Sequence, residues 1–249
     1  MRGREAGRVL ALAMVPLALG VVATADSGWP DFLAPPASWS PEIAAAVERI
    51  WSDPTLHRSV AGPSAPMPVA RYLTLVDLPD VTAAAARHLG LDSPEVRWLG
   101  EDWYEADDRA GARGVYRVLS RDPRRRVILS WGHHTSRFLG TVGGSALSVL
   151  TFGDRDGQTS QRIDAYVHID ERTAAVLARA LIRLFSWVAD RKLAEGFDVS
   201  VRIARWIEDD PGGFCRWLAR ADIPEERRRI AGAAAGECPA PVTARRSRG

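Results

Sequence analysis

The sequence predicts an α+β fold: an antiparallel sheet packed on one long helix, with extra short helices at both ends. Three observations carry this. Residues 95–169 break into short alternating segments separated by turn residues, the pattern of consecutive antiparallel strands. Residues 171–193 then repeat apolar side chains at helical spacing in a stripe too broad to face water. Strands and helices are grouped and do not alternate, which separates α+β from α/β architectures.

Residues 1–25 read as a secretory signal. Arg2, Arg4 and Arg8 precede an apolar run at 9–23, and Ala23-Thr24-Ala25 supplies the small-x-small cleavage pattern before Asp26. The run is shorter than the about 20 residues that span a bilayer, and Pro16 interrupts it. Three of the 33 basic and one of the 31 acidic residues lie in this segment, so its removal leaves a chain of balanced charge. Balance removes the cationic excess on which nucleic-acid binding depends. The expected location is therefore the periplasm or the extracellular space, with membrane association after export left open.

Residues 26–40 are rich in Pro, Ser and Gly and form an extended lead-in. Ser40-Pro41-Glu42 opens a helix over 41–53, with Ser40 as N-cap and Ile43, Val47, Ile50 and Trp51 on its apolar face. Residues 61–68 read as a loop and 69–76 (VARYLTLV) as a strand. Residues 80–91 form a helix capped by Asp80 and ending near Gly90. Strand segments follow at 96–99, 103–104, 114–120, 126–133 and 145–152. Residues 153–157 form a hairpin loop, and 161–169 is the clearest strand, with Ile163, Ala165, Val167 and Ile169 on one face. Asp170 caps the long helix, and Gly196 marks its end or a break. Short helices are expected at 199–207, 214–219 and 224–235, and a basic disordered tail at 237–249.

The order of strand (69–76), helix (80–91), consecutive strands (95–169) and long helix, with the junction VHIDERTAAVLARALIRLFSWVADRKL, resembles the START-like helix-grip superfamily of polyketide-cyclase and lipid-transfer type. The resemblance implies a curved sheet wrapped around the C-terminal helix with a ligand cavity between them. It covers 69–195 and places the domain at 41–195, followed by a helical extension at 196–236. The leading helix and that extension depart from the usual pattern.

Physical reading of the same elements leaves two outcomes: the sheet and long helix either enclose an apolar pocket or pack fully into a core. Val127, Leu129, Trp131 and His133 share one strand face. With Tyr116 on the neighbouring strand and Leu181, Arg183 and Trp187 on the helix, Leu129, Trp131 and His133 are the expected pocket residues. His133 and His134, adjacent on a strand, point to opposite faces and cannot share one metal. No metal, cofactor or catalytic residue is expected. Gly143-Gly144-Ser145-Ala146 lacks the second glycine and the following helix of a nucleophile elbow. Asp154-Arg155-Asp156-Gly157 lacks the later oxygens of a calcium loop. Cys215 and Cys238 either form one disulfide, as an oxidising compartment permits, or remain two free thiols. The expected function is binding of a hydrophobic small molecule or lipid. The alternatives are a non-enzymatic envelope scaffold and a cyclase- or dehydratase-type enzyme on the same fold.

Overall fold

A computed structural model describes residues 33, 39–137, 140–169, 180–236 and 238, with backbone alone for 136 and 180–193. In chain order the elements are α1 (Pro41–Ser52), β1 (Leu56–Ala65), α2 (Val69–Val76), α3 (Pro79–His88), β2 (Glu95–Gly100), β3 (Trp103–Asp107), β4 (Ala112–Asp122), β5 (Arg125–Ser136), β6 (Gly140–Arg155), β7 (Gln158–Ile169), α4 (Ala180–Asp209), α5 (Pro211–Arg220) and α6 (Glu225–Ala234). The strands form one antiparallel sheet in the order β1-β7-β6-β5-β4-β3-β2. Two helices between the first two strands, a meander, and a long closing helix make the architecture helix-grip-like.

Side chains of one sheet face meet α2 and α4. Gly62 of β1 lies so close to α4 that a Cβ there would come within 2.5 Å of the Phe197 ring. On the same face Tyr72 of α2 packs edge-on against Phe152, with ring centroids 6.0 Å apart, and donates its hydroxyl to Gln161 Oε1 at 2.7 Å. We call this the inner face. The outer face carries α1: Trp51 meets Tyr166 with centroids 4.7 Å apart, and Ile43, Val47 and Ile50 are buried. Ser40 caps α1 as expected, accepting from the Ile43 N–H at 3.4 Å.

The main core lies at one end of the inner face. Val201, Ile203, Ala204 and Ile207 of α4 join Tyr72, Leu73 and Leu75 of α2, Val81 and Ala85 of α3, and Phe214, Trp217 and Leu218 of α5. Two arginines fasten the extension to this core, and a disulfide closes the extension on itself. Arg227 of α6 is buried and donates Nε–H to Asp80 Oδ2 at 2.7 Å and a second bond to Oδ1. Its guanidinium also lies over the Trp98 ring at 4.9 Å. Arg71 donates twice to the Ala234 carbonyl, at 2.9 and 2.7 Å, and pairs with Glu208. Cys215 and Cys238 form a disulfide, the first of the two outcomes open from sequence.

Several expectations are corrected. Residues 69–76 form a helix, not a strand: Tyr72, Leu73 and Leu75 are buried at helical spacing, and the Pro68 carbonyl accepts from the Arg71 and Tyr72 N–H groups. An eight-residue apolar run does not distinguish the two by period alone. Residues 61–65 are strand, not loop. Pro63 is tolerated because β1 is an edge strand, and its pairing shifts between Gly62 and Ala65. Asp80 is not the cap of α3; Leu78 occupies that position and Asp80 turns to Arg227. Gly196 neither ends nor breaks α4, which runs through it to Asp209. The β6–β7 hairpin is tighter than a 153–157 loop, turning on Asp156 and Gly157 with φ of 54° and 76°. The signal segment, most of the lead-in, the Asp170 cap and most of the tail lie outside the described residues.

Two measurements check this arrangement. Arg227→Met strands the Asp80 carboxylate, and urea unfolding is expected to show a loss of roughly 3–5 kcal/mol. Burial pushes the Tyr72 phenol up to about 12 from its ordinary 10. The unfolded chain ionises first, so this contribution is complete below pH 10 and is lost as pH rises towards 12. Stability measured across that window should fall more steeply in the wild type than in Tyr72→Phe.

Candidate functional site

The other end of the inner face is not filled in this way. A cavity of about 430 Å³ lies there, over β4, β5, β6 and the end of β7. Register determines which side chains it meets. Tyr116 pairs with Ser130, Ser130 with Ala146, and Ala146 with Val167. One step towards the open end, Gly114, Gly132, Gly144 and Ile169 form the next row. Beyond that come Ala112, His134 and Val142. All of these residues line the cavity.

The glycine row makes the floor bare backbone. The neighbouring strands approach too closely for side chains: a Cβ on Gly144 would lie 2.7 Å from the His168 carbonyl oxygen, and one on Gly132 would lie 2.9 Å from that of Arg113. Small residues therefore do two things here. They let the strands approach, and they leave volume unfilled. The alignment of Gly144 with Gly132 and Gly114 is a property of register that the sequence does not display.

Two charged residues border this cavity and both are already engaged: Asp108 accepts from the Ala110 and Ala112 N–H groups, and Arg113 donates to Glu105. Ser130 donates its hydroxyl to the Ala146 carbonyl at 3.3 Å. Tyr116 stacks on Tyr104 with centroids 5.1 Å apart, and burial pushes its phenol well above the ordinary tyrosine range, with the Tyr104 and Asp80 charges acting in the same sense. Tyr116 is thus a neutral hydrogen-bonding group at any physiological pH. Tyr104 in turn accepts from Arg227 Nη2 at 3.3 Å, so the wall of the cavity is braced by the C-terminal extension. Among the described residues no group of three or more His, Cys, Asp or Glu side chains is placed to hold a metal ion.

Of the residues expected to line a pocket under the helix, Tyr116 lies on the inner face. Leu129, Trp131 and His133 do not: register places them on the outer face, with Leu147, Ser145 and Gly143 beside them. Leu129 is fully buried on that side, and Trp131 stacks on Trp103 with centroids 5.8 Å apart. His134 points to the cavity side, and Trp131 and His133, although turned outward, also border the cavity along the same strand. The expectation followed the more apolar face of β5. Both faces of this sheet are covered, however, and the face that borders a cavity is the one with smaller side chains. Leu181, Arg183 and Trp187 belong to α4, but their side chains lie outside the described residues. Sequence reasoning missed Ser130, Ala146 and His134; it did identify the Val167–Ile169 stripe.

No protein-family model matches the chain, and no curated protein matches it. Solved structures similar to it include a conserved protein from Geobacillus kaustophilus, at 16% identity over 60% of this chain and 95% of that one, with a TM-score of 0.48. Ara h 8.0201 is similar at 10% identity over 60% of this chain and 97% of that one, with a TM-score of 0.42. The di-domain ARO/CYC BexL from the BE-7585A biosynthetic pathway is similar at 15% identity over 66% of this chain and 56% of that one, with a TM-score of 0.41.

Two glycine replacements test the reading of the floor. Gly144→Ala forces a methyl against backbone and is expected to cost roughly 1–3 kcal/mol. Gly196→Ala, in an exposed helical position with nothing within 4 Å of the added carbon, is expected to stabilise by about 0.5–1 kcal/mol. Urea midpoints moving in opposite directions verify the contrast.

Proposed function

We propose that the protein is an exported binding protein for a hydrophobic small molecule or lipid, held in the inner-face cavity. The observation that carries this reading is the volume of about 430 Å³ bordered by Ala112, Val142, Ala146, Val167 and Ile169 above a glycine floor. An apolar ligand entering it gains roughly 2.5 kcal/mol for each 100 Å² of apolar surface removed from water. Tyr116 and His134 offer hydrogen bonds to one polar group, while the bordering Asp108 and Arg113 are held by the Ala110 and Ala112 N–H groups and by Glu105. Export is supported by the Cys215–Cys238 disulfide, a bond that persists in oxidising compartments, and by the three-part pattern at 1–25.

Native mass spectrometry of gently purified protein, with titration of an environment-sensitive naphthalene dye, tests the binding reading. Ala146→Phe places a ring in the cavity and is expected to abolish dye binding while leaving the unfolding midpoint within about 1 kcal/mol of wild type, since the ring enters unfilled space. Dye binding that survives this substitution unchanged, or protein that neither carries nor takes up any ligand, would reject it. A mature N-terminus at Asp26 in material recovered from outside the cytoplasm would establish export.

A further inference from the structure

The outer face carries a second cavity, of about 500 Å³, between α1 and strands β3 to β6. It exists because α1, the element that the helix-grip order does not include, lies across the outer face. Its chemistry differs from that of the inner cavity. Arg49 of α1, Arg113 and His133 line it together with the Trp131 indole and the Ser145 hydroxyl. Glu105 is the only carboxylate among the described lining residues. It is already shared by two arginines, accepting from Arg113 Nη2 at 2.8 Å and pairing with Arg97. Those bonds hold its carboxyl below the ordinary range, so it stays ionised and occupied. Arg49 and His133 are then left as hydrogen-bond donors facing the space, beside an aromatic ring steadied from one side by Trp103.

We infer that this outer cleft binds a small ring-bearing carboxylate, the carboxylate held by Arg49 with His133 and the ring lying against Trp131. A guanidinium presents paired N–H groups that match a carboxylate. An indole face accepts either an aromatic ring or the C–H face of a sugar, and its apolar area favours both over bulk water. The two cavities share the strand residues around the glycine row as a wall, but Ala46, Arg49 and Glu105 border the outer cleft alone, and Tyr116, Ser130 and Ala146 border the inner cavity alone.

The test is calorimetric titration of the full exported chain at low salt with sodium glucuronate and with sodium benzoate, using glucose and benzyl alcohol as neutral counterparts. Saturable binding of either acid in the millimolar range or tighter, with much weaker binding of its neutral counterpart, is expected. Glucuronate alone identifies an acidic saccharide, benzoate alone an aromatic acid. Arg49→Glu, at an exposed helix position, is expected to weaken binding about tenfold or more, and Trp131→Phe to weaken it less. Ala146→Phe should leave it unchanged. Absence of saturation by both acids, insensitivity to Arg49→Glu, or loss through Ala146→Phe in place of Arg49→Glu would each overturn the assignment, whatever the inner cavity binds.

Discussion

The contact between Phe197 and Gly62 sets the geometry on which the rest depends. It brings α4 against β1 with no intervening side chain, so the helix is seated low at one end of the inner face. Val201, Ile203, Ala204 and Ile207 then reach the core built by α2 and α3, and that end of the sheet is filled. The other end follows from the same placement. Gly114, Gly132, Gly144, Ser130 and Ala146 make up much of its floor and leave space that Tyr116, Val142, Val167 and Ile169 border. Dense packing at one end and unfilled volume at the other are therefore two results of one arrangement.

The extension beyond Gly196 makes this seat permanent. Arg227 lies between the Asp80 carboxylate and the Trp98 ring, and its second nitrogen reaches the Tyr104 hydroxyl. Asp77, one turn before Asp80, is held by Arg126 Nε at 2.6 Å and Nη2 at 2.8 Å, and by Arg121. Buried ion pairs of this kind add little net stability over an apolar replacement, because each charge must first leave water. What they supply is register. A slip of α6 by one residue would leave Arg227 and Asp80 buried and unpaired, so that pair selects one docking of the extension, while Asp77 fixes the α2–α3 corner on β4 and β5. The disulfide acts on the same segment by restricting the unfolded chain, worth roughly 3 kcal/mol for a loop of this size.

Legibility in the sequence followed the strength of the local signal. The strands from 95 to 169 and the helix at 41–52 were readable because alternation, capping and turn chemistry agree there. Residues 56–65 and 69–76 were not. In the first, Gly62 and Pro63 look like loop residues, and only the edge position and the approach of Phe197 explain them. In the second, the apolar run is too short for its period to decide. The site was less legible than the fold for a physical reason. Hydrophobicity locates what is packed, and a cavity is lined by what is too small to pack. Trp131 and Leu129 therefore drew attention to the outer face, while Ser130, Gly132 and Ala146 gave no signal until register aligned them.

The outer face changes what α1 is for. A sheet already packed on its inner side still carries Val127, Leu129, Leu147 and Val149 outward, all buried, so some cover is required. Ile43, Val47 and Ile50 meet that need from one side of α1. Cover alone does not require Arg49 to border a cleft with Trp131 and His133, nor the outer side of β5 to end in an indole and an imidazole after two aliphatic residues. The change from Val127 and Leu129 to Trp131 and His133 along one strand face is a change from packing to exposed chemistry, and it occurs where the glycine row begins. Because that row has no side chains, the sheet there is only one backbone thick, and the inner and outer cavities share it as a wall. A sheet built this way carries two different chemistries back to back, aliphatic side chains and Tyr116 on the inner side and Arg49 of α1 with the Trp131 indole on the outer.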